Sequence, residues 1–255
     1  MRTLKLLISF DGTGYCGWQK QENGPTIQAE IERAVSMICN TPTIVHGAGR
    51  TDAGVHALGM TAHFHTSSRV DCESFSKGLN SLLPPAIRII EASDEKSSYH
   101  ARFGALAKTY YYQIYTGPVI CPTRRLYNCH VPFKLCCSTM HRCLKTLLGT
   151  HDFSSFETAG SRDKDNTGGR GAVRTIFKAE LSEPEPEFIR LTYTGDGFLR
   201  HMVRNISGTI IEAGRGKTTA HEFAQILEAR DRNRAGATAP PAGLTLLTVH
   251  YRKDW

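Results

Sequence analysis

The chain has 255 residues, 40% hydrophobic and 22% charged, which suits one large or two small globular domains with real cores. A formal net charge of +7 points to a polyanionic partner, nucleic acid first, although a merely basic soluble protein carries the same charge. The 8 cysteines exclude a zinc module and a disulfide-stapled secreted scaffold: Cys136 and Cys137 are adjacent, no Cys-x-x-Cys occurs, and a chain this long needs no staples. Reduced, mostly buried thiols of a cytoplasmic protein are the expectation.

Residues 3–10 read as a first strand. The apolar run Leu4 to Phe10 is too short to span a membrane, so no membrane partner is expected. Asp11-Gly12-Thr13-Gly14-Tyr15-Cys16-Gly17 contains a literal Gly-x-Gly-x-x-Gly. A dinucleotide site would need a helix opening directly on these glycines. Here Trp18 to Gly24 intervenes and the helix signal comes only at Pro25, so no such cofactor is predicted. Residues 26–39 then form a helix, with Ile27, Ile31, Ala34, Val35 and Ile38 on one face.

Thr43-Ile44-Val45-His46 and Met60 to His65 read as strands around a glycine-bracketed loop, Gly47-Ala48-Gly49-Arg50-Thr51-Asp52-Ala53-Gly54-Val55-His56-Ala57. Arg50 and Asp52 are its only charged residues. They fit turn chemistry, with Asp and Thr bonding local amides, or a site held in an unusual backbone geometry. Asp71 caps a second helix carrying Phe75, Leu79, Leu82 and Leu83, ended by Pro84-Pro85. Ile87 to Ile90 is a short strand. The order so far is β-α-β-β-α-β, a ferredoxin-like arrangement.

A similar order recurs. Tyr110 to Tyr115 is a strand with Tyr110 and Tyr112 on one face and Tyr111 on the other. Sheet packing and base stacking both suit such tyrosines. Ser138 caps a helix that stops at Gly149. Residues 157–171 are polar and aperiodic, a surface loop with or without function. Ala172 to Leu181 and Phe188 to Tyr193 are paired strands. Phe198 to Ala213 is a helix with Leu199, Met202, Val203 and Ile206 on its buried stripe. Arg200 and Arg204 lie one turn apart, on a solvated basic face or at a site. Gly214-Arg215-Gly216-Lys217-Thr218 lacks the first glycine of a phosphate-binding loop and follows a helix, so it reads as a helix end. Thr219 to Glu222 is a capping box, and Leu244 to Tyr251 a last strand. The fold class is therefore α+β: two ferredoxin-like β-α-β-β-α-β halves, residues 1–104 and 105–255, with mainly antiparallel sheets flanking a central cleft.

Gly-Arg-Thr-Asp-x-Gly-Val-His-Ala closely resembles the catalytic motif of the TruA family of tRNA pseudouridine synthases. So do Asp11-Gly12…Gly17-Trp18-Gln19 (with Phe10 where Tyr is usual), Lys108-Thr109-Tyr110-Tyr111-Tyr112, Phe198-Leu199…Met202-Val203-Arg204 and Pro240-Pro241-Ala242-Gly243-Leu244. The resemblance spans nearly the whole chain. It implies the pseudouridine synthase fold and Asp52 as the catalytic nucleophile. It also implies Arg204 as the arginine pairing with that Asp, and Tyr110 as the active-site tyrosine. Arg50 would hold a phosphate or the flipped nucleotide's backbone. The implied reaction isomerises uridine to pseudouridine at positions 38–40 of the tRNA anticodon stem-loop, in a homodimer. It exchanges no electrons, so no cofactor and no metal are expected. Whether Asp52 attacks C1′ or removes a proton from C2′ stays open. Arg102, Lys108, Arg124, Arg125, Arg200, Arg215 and Lys217 are candidates for holding the tRNA backbone. An RNA-binding module without catalysis and a carboxylate-dependent hydrolase are the rival readings.

Overall fold

A computed structural model describes residues 1–158, 160 and 170–255 of the chain. Most of the polar segment read as a loop at 157–171 lies outside the described residues. The chain packs as two units, Met1–Leu106 with Thr245–Trp255, and Ala107–Leu244.

The first unit begins with β1 (Arg2–Phe10), where alternate residues Leu4, Leu6, Ile8 and Phe10 are buried. Helix α1 (Ile27–Cys39) starts because the Thr26 side chain accepts from Ala29 N. It buries Ile27, Ile31, Ala34 and Val35. Two-residue β2 (His46–Gly47) and β3 (His56–Thr66) follow, then α2 (Cys72–Leu82), capped by Asp71 on Ser74 N at 2.9 Å. Strand β4 (Ile87–Glu95) ends the set. Strand β1 lies between β3 and β4, antiparallel to both. Phe75 of α2 meets Phe64 of β3 with ring centroids 5.5 Å apart, joining helix to sheet. Each such buried ring stabilises the unit by roughly 1.5–3 kcal/mol.

The strand expected at Thr43–His46 shrinks to β2 because α1 takes its backbone groups. Val45 N donates to Glu32 Oε1 at 3.1 Å, Gln28 Nε2 donates to Val45 O at 3.0 Å, and Thr43 N donates to Ser36 Oγ at 2.9 Å. With those groups already satisfied, no ladder extends there.

The second unit is built from β5 (Ala107–Tyr115), β6 (Cys129–His130), α3 (Cys137–Thr146), β7 (Gly149–Asp152), β8 (Val173–Glu185), β9 (Phe188–Gly195), α4 (Met202–Gly214) and α5 (Ala220–Ala229). Strand β9 lies between β5 and β8, and β7 continues from β8, all antiparallel. Both units are thus α+β with mostly antiparallel strands. The Thr219–Glu222 capping box is present, with both reciprocal bonds made. Three local expectations differ. The N-cap of α3 is Cys136 rather than Ser138, and it makes no side-chain cap bond. Of the cysteines, only Cys129 and Cys143 are buried, and all are free thiols. The last strand, Leu244–His250, lies from Thr245 onward in the first unit, where Thr245 and Leu246 pair in parallel with His56 and Ala57 of β3.

A buried histidine makes the first unit sensitive to acid. Burial and the neighbouring His100, His46 and His65 hold His63 well below the ordinary 6.5, at about 4. Its neutral ring accepts from Ala101 N at Nδ1 (3.2 Å), an acceptor that protonation removes. The unfolded chain therefore binds this proton more readily than the folded one. Stability should fall as pH drops from about 6.5 towards 4, at up to about 1.4 kcal/mol per pH unit. In His63→Gln, urea denaturation at a series of pH values should lose this component of the slope.

Candidate active site

The Asp52 loop runs between β2 and β3 and is fixed mainly by backbone. Ala48 N donates to Thr61 O at 2.7 Å, and Trp18 N to Thr51 O at 3.1 Å. Gly54 N donates to Tyr15 O at 3.3 Å, and Val55 N closes a turn onto Asp52 O at 3.1 Å. Gly54 occupies the left-handed region at φ 75°, which a turn of this shape requires. The segment 11–18 is therefore the seat of the loop. Gly12 presses on Val55 so closely that an added Cβ would lie 2.1 Å from Val55 O. His56 Nδ1 sits 3.1 Å from both Gly12 N and Asp11 Oδ1. The buried Trp18 ring rests on Gly47 and meets Phe10 at 6.2 Å. These contacts explain physically why the glycine-rich stretch of residues 11–17 accompanies the Asp motif. The result is a half-buried Asp52 between exposed Arg50 and exposed Ala53.

Tyr110 and Arg204 lie in the second unit, so the candidate set is divided between the two units. Tyr110 pairs across the ladder with Tyr193 and meets Phe198 edge-to-face at 5.1 Å. At 7% exposure it is a packed ring as well as a site candidate. Tyr111 takes the opposite face, under the Arg190 guanidinium at 4.6 Å.

Arg204 lies in the first turn of α4, which begins later than the sequence pattern predicted. His201, at φ 60°, forms its N-cap, and Arg200 O accepts from Thr158 N at 3.1 Å outside the helix. The expected common helical face of Arg200 and Arg204 therefore does not form. Arg204 is instead oriented by the segment before the last strand: Arg204 Nε donates to Ala239 O at 2.8 Å, and Ala239 N donates to Arg204 O at 3.2 Å. That segment is itself anchored. Thr238 Oγ1 donates to Asn205 Oδ1 at 2.6 Å, and Arg232 Nη2 reaches the same oxygen at 3.2 Å. Asn205, fully buried, donates to Phe156 O at 2.8 Å. Burial keeps the Tyr112 phenol protonated, and it donates to Pro240 O at 2.8 Å.

No local sequence pattern joins Tyr112, Asn205, Arg232 and Thr238 into a positioning network; it forms through contacts between distant residues. The signal available was the Pro240-Pro241-Ala242-Gly243 stretch, whose partners no local pattern names. Among the basic candidates, Arg102, Arg125, Arg200 and Lys217 are exposed. Arg124 pairs with Glu185 at 2.8 Å and lies over Phe188, and Arg215 lies over Phe133. Among the described residues no group of His, Cys, Asp or Glu could hold a metal ion. None of the described helices is long and apolar enough to cross a membrane.

Residues 6–104 and 143–252 match the tRNA pseudouridine synthase family. The chain is 52% identical over 251 residues to tRNA pseudouridine synthase A 1 of Desulfotalea psychrophila, covering 98% of this chain and 100% of that one. It is 45% identical to tRNA pseudouridine synthase A of Acetivibrio thermocellus, over 98% of this chain and 100% of that one. With the enzyme of that name from an Exiguobacterium species the identity is 44%, over 99% of each. The family match covers the Asp52 loop and the Arg204 helix, and the relatives extend over nearly the whole chain; the chain belongs to the tRNA pseudouridine synthase family.

Proposed function

We propose that the protein isomerises uridine to pseudouridine in the tRNA anticodon stem-loop, at positions 38–40, with Asp52 as nucleophile. The observation that carries this reading is the carboxylate itself. Asp52 is half-buried and stands on a loop whose backbone is seated on residues 11–18, within residues 6–104 that match the tRNA pseudouridine synthase family.

The target uridine leaves its stack to reach the loop. The Asp52 carboxylate attacks C1′, and the C1′–N1 bond breaks with its electron pair on the uracil. The uracil turns, C5 attacks C1′, and Asp52 departs as a carboxylate. The C5 proton is lost and N1 regains one, so atoms and charge balance with no second substrate. A carboxylate is suited to attack at a sugar carbon, as in retaining glycosidases. Arg204, oriented by Ala239 O through Nε, supplies the positive charge that keeps that carboxylate ionised in this reading. Tyr110 contacts the base, and the exposed Arg50 takes a phosphate of the displaced nucleotide. The same reading includes a homodimer working in the cytoplasm.

The test uses unmodified tRNA carrying tritium at uracil C5. Wild type should release tritium to water while the tRNA chain keeps its base. Free uracil in place of pseudouridine would identify a hydrolase. Tight tRNA binding with no tritium release from a broad tRNA pool would identify an RNA-binding module.

A further inference from the structure

Phe103 is 78% exposed, against 51% for Phe133 and 41% for Phe177. A single exposed apolar residue is ordinary. What sets this one apart is what lies behind it. Its ring meets the His100 ring at 4.2 Å and 31°, and His100 meets the buried His63 at 4.6 Å. His46 closes on both histidines, at 5.1 Å from His63 and 5.9 Å from His100. The result is a cluster of mutually tilted rings rooted in the buried His63 and ending on the exposed Phe103.

The turn that carries Phe103 is also held. His100 Nδ1 accepts from Arg102 N at 3.1 Å and Phe103 N at 3.3 Å, and Gly104 N donates to His100 O at 2.9 Å. Tyr251 Oη donates to Ala101 O at 2.6 Å, and Leu106 N donates to His250 O at 2.8 Å. The end of the last strand and the residue after it thus hold the turn at Ala101 and Leu106. With two amides donating to His100 Nδ1 and one to His63 Nδ1, these rings are neutral acceptors in the folded chain. The positive charge at the tip belongs to exposed Arg102.

We propose that Phe103 is a stacking platform for an unpaired nucleobase of the bound tRNA, with Arg102 on the adjoining phosphate. This rests on the reading of the protein as a tRNA enzyme. A rigid flat ring suits a base of any sequence, because every base presents a π-face and little conformational entropy is lost. A cation beside it suits the strand's backbone, and the chain's net charge of +7 agrees in sign.

Equilibrium binding of unmodified tRNA, measured across salt concentrations, tests this. Phe103→Ala should weaken binding roughly five- to hundredfold. Phe103→Trp should restore it and Phe103→Leu should not, since an apolar side chain without a π-face cannot stack. The slope of log affinity against log salt should stay the same in Phe103→Ala and become shallower by about 1 in Arg102→Ala. Wild-type affinity in Phe103→Ala, or rescue by Leu, would overturn the proposal. So would a change of oligomeric state in Phe103→Ala by sedimentation, which would make this face a subunit contact. The tritium assay on wild type reports on the isomerase reading separately, so failure of the platform leaves that reading intact.

Discussion

Asp52→Asn is expected to abolish tritium release from C5 while leaving tRNA affinity close to wild type. The expected loss is at least ~10⁴-fold, the scale on which removal of an essential nucleophile acts. The substitution is chosen for its shape. Asn has the size and planarity of Asp but lacks the anionic oxygen to which the proposed mechanism assigns the bond to C1′. Trp18 N, Gly54 N and Val55 N bond to backbone oxygens along the loop, and these bonds are untouched by the substitution. A fall in tRNA affinity as large as the fall in rate would therefore point to a binding role. Undiminished release would place the nucleophile elsewhere. Asp52→Glu should also fail in large part: one more methylene moves the carboxylate by about an ångström, enough to cost on the order of 10²-fold in an attack that needs near contact.

Expectations that rested on neighbouring residues mostly agree with the structure, the Ser138 cap of α3 being the exception. Asp71 caps α2, Thr219 and Glu222 cap each other, and the tyrosines of β5 alternate faces, because each outcome is decided within a few positions. What sequence left unread was settled by distant partners. Val45 looks like a strand residue until Glu32 takes its amide. Arg200 looks helical until His201 turns left-handed and Arg200 O accepts from Thr158. The last strand looks like the end of the second half, yet it pairs with His56 and Ala57 beside the Asp52 loop. The candidate site follows the same division. Motif resemblance pointed to Asp52, Tyr110, Arg204 and Arg50. Gly12 and Trp18 belong to a motif of the same resemblance, but that they seat the Asp52 loop, and that Asn205 and Thr238 anchor the segment holding Arg204, emerges only from three-dimensional contact.

Gly12→Ala should test that orientation with the second-largest effect. At Gly12 a Cβ would lie 2.1 Å from Val55 O and 2.7 Å from Val55 C, and neither atom can swing aside as a side chain would. Either residues 11–18 or the loop from Asp52 to Val55 must move, straining the Gly12 N to His56 Nδ1 contact as well. Overpacking of this kind costs about 1–3 kcal/mol. The larger effect falls on catalysis, since a displacement near an ångström costs on the order of 10²-fold. The control is Gly14→Ala. Gly14 sits at φ 79° with nothing within 4 Å of an added Cβ, so only backbone strain is introduced. That costs roughly 1–2 kcal/mol, with no push on the loop. Thermal unfolding should lower both variants comparably, whereas tritium release should collapse in Gly12→Ala alone. Equal loss of activity in the two would mean that stability, rather than the seat of Asp52, limits the reaction. Full activity in Gly12→Ala would mean that the loop does not depend on this close approach for its geometry.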